Sequence, residues 1–592
     1  MRRAVTRPLS PLAAVAACWT AIAAGLTPST AVAADEPAVV AVVAVDPYAE
    51  LKQQAKWVGG QIDQPTLDGF LESFIMMATQ FKGLAGLDVN RPAGVVVTAE
   101  GPAGVPVVRG FVPVKDLGKL LAALQGVIGP VQEQDGVKVL SPPGMPPLQV
   151  AERDGWAIVS LKGSPDAAAG LEQSLDPVVK AFSLGVQLFP ARMPEGMRQQ
   201  LQAVLQQAAA MQAQQGQPVD PAALAEGLES LERIETLLLG ASVDVAKERV
   251  FLENRFVMVP GSAEATLYDS MAKAAPSVPA TATADGKPAA VSGHAAVAIP
   301  ESLREVAKAA VVEALPVSSS GLTPGGGTFE IIVPEPANTI FKLLRELVPA
   351  MLDAGVLDAA FTVDTSAKPA AGEAVPRVTL GMRVKDGPTL EAALKAALGA
   401  EGVLPAGVTV KFDTGKAGPA NLHVVEVDLA SVADEDAVRA FGKKLPIVLG
   451  VTPTHAFIAA GGDAQKRIAA AAGGQADPNA KPLAGLDVSL ASLVAYAAGT
   501  QKFLSPDDTD GLAVATKAAD ETAALPSSLV QVLVRPIERG VATRLSADAG
   551  AIKVIKTLVM TSTYGPMAPR PVGVGPAPVP KGRPIPLPGL AP

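Results

Sequence analysis

The sequence predicts an α+β protein in two related halves, each an antiparallel sheet covered by helices, joined by a Pro/Ala-rich linker. Three observations lead there. Short alternating apolar runs mix with segments of helical three- and four-residue spacing along the whole chain. The strand-to-helix junction Val114-Lys115-Asp116 returns as Val384-Lys385-Asp386, 270 residues later, and Leu87-Asp88 returns as Leu357-Asp358 at the same offset. A stretch rich in Pro, Ala, Thr and Gly separates the copies. Two copies are too few for a solenoid, so each copy is expected to hold its own sheet and helices.

The elements follow in order. Residues 46–57 and 66–81 read as helices, the second with Leu67, Phe70, Leu71, Phe74 and Ile75 at helical intervals. Strands are expected at 95–97 and 106–114. Asp116 then caps a helix over 117–127 that places Leu117, Leu120, Leu121 and Leu124 on one face. Strands follow at 137–140, 148–152, 156–162 and 182–188. Residues 193–214 and 221–237 read as helices, 241–245 and 249–259 as a hairpin, and 261–273 as a helix. In the second copy Asp386 takes the capping place of Asp116. Residues 455–458 and 462–464 match the strand and helix start at 156–166, and 534–545 mirrors the hairpin. The expected boundaries are 1–33 leader, 46–275 first half, 276–293 linker, 294–564 second half and 565–592 a disordered Pro-rich tail.

The leader is a secretory signal peptide. Arg2, Arg3 and Arg7 precede an apolar run over 11–26, and Ala31-Val32-Ala33 gives the small-x-small cleavage pattern. A lipid anchor through Cys18, after Val15-Ala16-Ala17, is the alternative form of export. No other stretch is long and apolar enough to span a bilayer, so no transmembrane span is expected in the mature chain.

Composition narrows the function. Cys18 is the single cysteine of 592 residues, so a cleaved chain has neither disulfide nor thiolate chemistry. Net charge is −9, and setting aside the three leader arginines and the three cations of the tail (Arg570, Lys581, Arg583) leaves −15 between them. Nucleic acid needs clustered cations, so it is not an expected partner. His294, His423 and His455 are far apart in sequence, with no H-E-x-x-H frame. Asp507-Asp508-Thr509-Asp510-Gly511 fails as a calcium loop, because Pro506 and Lys517 stand where ligands are required. Gly325-Gly326-Gly327 leads into a strand-like run rather than a helix, unlike a phosphate loop. No cofactor, metal or catalytic residue is assigned; Asp116 and Asp386 are assigned as structural helix caps.

Gly86-Leu87-Asp88-Val89-Asn90-Arg91-Pro92-Ala93-Gly94, followed by Gly110-Phe111-Val112-Pro113-Val114-Lys115-Asp116, resembles large secreted proteins of unknown function from planctomycete-like bacteria. The resemblance covers the N-terminal half best and implies export, with no activity attached. The expected function is therefore an exported, non-enzymatic protein with a binding or structural role in the periplasm or cell envelope. Its partner would be an envelope protein or polymer. The alternatives are a carrier of an apolar ligand or lipid, and a hydrolase using paired carboxylates.

Overall fold

The computed structural model describes residues 38–564 apart from 80, 101–103, 135–136, 143–145, 162–167, 200–202, 204–205, 208–230, 275, 280–288, 306–307, 309–348, 350, 366–375, 400–403, 405, 434, 475–482 and 505–507. The leader, Gly325 to Gly327 and the tail from 565 lie outside the described residues. Among the described residues, no helix is long and apolar enough to cross a membrane.

The first strands are β1 (Ala38–Val45), β2 (Ala93–Glu100), β3 (Val105–Pro113), β4 (Val131–Gln134) and β5 (Val137–Leu140). Next come β6 (Leu148–Arg153), β7 (Trp156–Ser160), β8 (Leu184–Leu188), β9 (Ile234–Asp244) and β10 (Arg249–Met258). The later strands begin with β11 (Val291–Ala298), β12 (Val356–Asp364), β13 (Arg377–Arg383), β14 (Val408–Ala417) and β15 (Ala420–Asp428). They end with β16 (Lys444–Val451), β17 (His455–Ala460), β18 (Ala484–Ser489), β19 (Leu529–Ile537) and β20 (Gly540–Asp548).

These strands form a 20-stranded sheet in which each pairing is antiparallel. From edge to edge the ladders run β4-β5-β6-β7-β3-β2-β1-β8-β9-β10, then β20-β19-β18-β11-β12-β13-β17-β16-β15-β14. The middle of the sheet is the β10–β20 ladder, from Arg249 opposite Asp548 to Val257 opposite Gly540. The outer strands suit an edge. Short β4 is exposed throughout, and β14 carries exposed charges and a register break between Lys411 and Gly415.

Helices cover the sheet because neighbouring strand residues point to opposite faces. Val112 joins the cluster beneath the Leu117–Ile128 helix, with Leu117, Leu120, Leu121 and Val150. Its neighbour Phe111 packs on the other face with Trp156, Leu175, Val178 and Phe182. Likewise Leu390, Leu394 and Leu398 of the Gly387–Gly399 helix meet Met382, Val425 and Ile447, whereas Phe457 and Ala459 meet Ile468 and Ala471 of the Ala464–Gly473 helix. Asp116 Oδ1 accepts the Lys119 N–H at 2.9 Å and Asp386 Oδ1 the Thr389 N–H at 3.0 Å. These backbone bonds hold both carboxyls below their ordinary pKa.

Two expected elements are corrected. The helix read over 221–237 cannot reach its end, because Leu231–Arg233 is a 3₁₀ turn and Ile234 opens β9. The run Ile234-Glu-Thr-Leu-Leu-Leu has enough apolar residues for either reading, and pairing with β8 and β10 decides for strand. The linker over 276–293 is not free at either end. Ser277 and Val278 donate to Asp358, and β11 begins at Val291.

Phe182 is 1% exposed, and its ring fills the space above Gly240, where a Cβ would lie 2.1 Å from it. Phe182→Ala is expected to cost about 3–5 kcal/mol, read as a lowered denaturant midpoint.

Candidate functional site

The candidate site lies at the middle of the sheet, where β8, β9, β10, β20 and β19 run side by side. The registers place Gln187, Leu238, Arg255, Ala542 and Arg535 in one row across these five strands, hence on one face. The neighbouring row holds Gly185, Gly240, Glu253, Arg544 and Leu533. Ala542 is small, so Arg255 and Arg535 on either side of it have room, whereas the space above Gly240 is filled by Phe182.

Glu253 is the centre of this arrangement. Its carboxylate is fully buried and receives three guanidiniums. Arg255 Nε donates to Oε1 at 2.6 Å; Arg535 Nη2 donates to Oε2 at 3.0 Å, and Arg544 Nε donates to the same oxygen. Burial raises the Glu253 pKa, but the Arg255 and Arg544 hydrogen bonds and charges outweigh it, so the net shift is downward. Arg544 also stacks on Phe251, with its guanidinium 4.1 Å from the ring centroid, and Arg255 faces Phe182 at 5.3 Å.

Beside this cluster is a cleft of about 600 Å³, lined by Gln187, Leu238, Arg255, Val257, Arg535 and Ile537, among others. Arg539 closes one side. It donates to Glu235 at 2.5 Å and to the Met258 carbonyl at 3.0 Å. The Arg535 Nε is buried with no hydrogen-bond partner. The arrangement can hold a ligand by charge and by apolar contact. It contains no nucleophile with an adjacent base.

Two other clusters bring chemistry-bearing residues together. Ser277 Oγ lies 2.6 Å from Asp358 Oδ2 and 3.1 Å from His455 Nε2. Ser277 comes to His455 from 178 residues away in sequence. The order of contacts is wrong for a Ser-His-Asp relay, in which the carboxylate orients the histidine and the histidine takes the serine proton. Here the serine hydroxyl donates directly to Asp358, which also accepts the Ser277 N–H at 2.5 Å. The His455 Nδ1 faces Thr454 Oγ1 at 3.0 Å.

Glu391, Asp413 and His423 could offer three donor atoms to a metal, all within 4.8 Å of one another. Most of the donors are already engaged, although His423 Nε2 is buried without a hydrogen-bond partner. Lys395 Nζ bridges Glu391 at 2.8 Å and Asp413 at 2.7 Å, and His423 Nδ1 accepts the Asp413 N–H at 3.1 Å. The neutral imidazole then carries its proton on Nε2, which points at Glu391 Oε1 from 3.4 Å and has no lone pair for a metal. Burial raises the Glu391 pKa, but Lys395 and Asn421 outweigh it and the net shift is downward; Lys395 also lowers Asp413. Neither carboxyl is the raised acid that a hydrolytic pair requires. Asp508 serves as a helix cap, with Oδ1 accepting the Gly511 N–H at 2.9 Å, while Asp507 lies outside the described residues.

Comparison with family models, curated proteins and solved structures finds no match.

Glu253→Gln leaves three arginines around a neutral group and is expected to cost about 3–5 kcal/mol of unfolding free energy by denaturant titration. The histidines set a pH dependence. Burial holds His423 and His455 below the ordinary value of 6.5, so the unfolded chain binds their protons first as pH falls. Their contribution is full above 6.5 and is lost between 6.5 and the lower folded values. Denaturant midpoints at pH 7.5 and 5.5 should differ less in His423→Asn, which keeps an acceptor for the Asp413 N–H and removes the titration.

Proposed function

We propose that this chain is an exported, non-enzymatic binding protein of the periplasm or cell envelope, built from two copies of one ten-strand unit. The central cleft carries the binding reading: it pairs spare guanidinium donors with apolar walls and has a volume suited to a small molecule. The Ser277–Asp358–His455 and Glu391–Asp413–His423 clusters are held mostly by their own neighbours. No observation favours the carboxylate hydrolase over this reading.

The strand order supports duplication. From the outer edge inward, one unit reads β4-β5-β6-β7-β3-β2-β1-β8-β9-β10. Adding ten to each label gives the order of the other unit. The 270-residue offset of β3 and β13 can be carried through the successive registers. It makes Trp156 the counterpart of His455, Gly185 of Gly485, and Glu253 of Arg544. Glu253 and Arg544 also face each other across the β10–β20 ladder. A pseudo-twofold axis through that pair relates the units, and the cleft lies beside it. The basic start, apolar run and Ala31-Val32-Ala33 of the leader support export.

Native mass spectrometry of the mature chain, purified without detergent from an exporting host, tests the reading. The expected result is a chain beginning at Ala34 with a discrete extra mass that organic solvent releases. A bare chain that also captures nothing from envelope extract would overturn it.

A further inference from the structure

We infer that the central cleft binds an organic anion, its acidic head on Arg255 and Arg535 and its apolar body along Leu238, Val257, Pro536 and Ile537. The inference rests on the binding reading above and names the ligand class for that site.

Charge counting comes first. Arg255, Arg535, Arg539 and Arg544 face Glu235, Glu253 and Glu538. Glu538 belongs to the hairpin turn, is 90% exposed, and stands 3.9 Å from Arg539, so water screens most of its charge. Glu235 is engaged by Arg539. That leaves one buried carboxylate, Glu253, against three guanidiniums. The side chains of Arg255, Arg535 and Arg544 keep 34%, 41% and 29% of their surface exposed, so water shares the balance and an added anion would find these cations only partly neutralised.

The donors point the same way. Arg255 reaches Glu253 through Nε and Arg535 through Nη2, so each keeps N–H groups that Glu253 does not take. One of these, the Arg535 Nε, is buried without a partner. A carboxylate, sulfonate or phosphate oxygen matches two guanidiniums held in one row on either side of Ala542. The rest of the lining decides against a bare inorganic ion. Leu238, Val257, Pro536 and Ile537 offer apolar surface, and the volume of about 600 Å³ is far larger than such an ion needs.

Titration calorimetry of the full mature chain with decanoate, decanol and inorganic phosphate as probes tests the assignment. Decanoate is expected to bind one to one, with affinity falling as salt rises. Arg535→Gln, at the more exposed guanidinium, should weaken it by about tenfold or more, the loss of one charge-assisted contact. Circular dichroism and thermal melting check that this variant is folded, and Arg255→Gln provides a second reading from the opposite side of the row. Equal affinity for decanol or for phosphate would overturn the proposal, as would an unchanged affinity in both folded variants. Failure of decanoate on a chain that still carries a solvent-released mass from its host would overturn the anion assignment and leave the binding reading standing.

Discussion

The ladder between β10 and β20 is the constraint on which the rest depends, because it joins the two runs of ten strands into one sheet. Its central charged pair, Glu253 and Arg544, comes from positions 291 residues apart. A buried carboxylate is tolerated there because guanidiniums reach it from three directions. Two of the guanidiniums that compensate Glu253, those of Arg255 and Arg535, also line the cleft. Stability of the seam and character of the proposed site therefore share these two side chains.

The sheet is long-range in its wiring. β1 pairs with β2 and β8, and β3 skips over three later strands to pair with β7. Such pairings close large loops before any contact compensates the lost entropy, so slow assembly is expected of this topology. The local pieces, hairpins such as β19–β20 and the capped helix after Asp116, give early structure on which those closures can build.

Local order was legible in the sequence because period and capping are local properties. The helix read over 117–127 lies within Leu117–Ile128, and the Asp116 and Asp386 carboxylates each accept a backbone N–H at the start of a helix. Trp156 stands opposite Pro113 and His455 opposite Arg383, each at the end of its ladder. What escaped was encoded in distance. Glu253 and Arg255 alternate with Asn254 just as solvent-facing charges would, and nothing local marks their face as covered. The one available hint was Phe251, two residues before Glu253 and on the same face, a poor neighbour for a solvated surface. Ser277 beside His455 had no local signal at all. The sequence also could not show that residues 231–237 leave the helical pattern, because strand pairing with β8 and β10 makes that choice.

The pair at the centre also speaks to history. If two separate copies of the ten-strand unit once met through this ladder, the residue on the twofold axis would have faced its own duplicate. An ionised side chain at that place opposes its own image, whichever sign it carries. Joining the copies in one chain lifts that restriction, because the two positions then mutate independently. Glutamate on one side and arginine on the other is a solution that a symmetric ancestor could not encode.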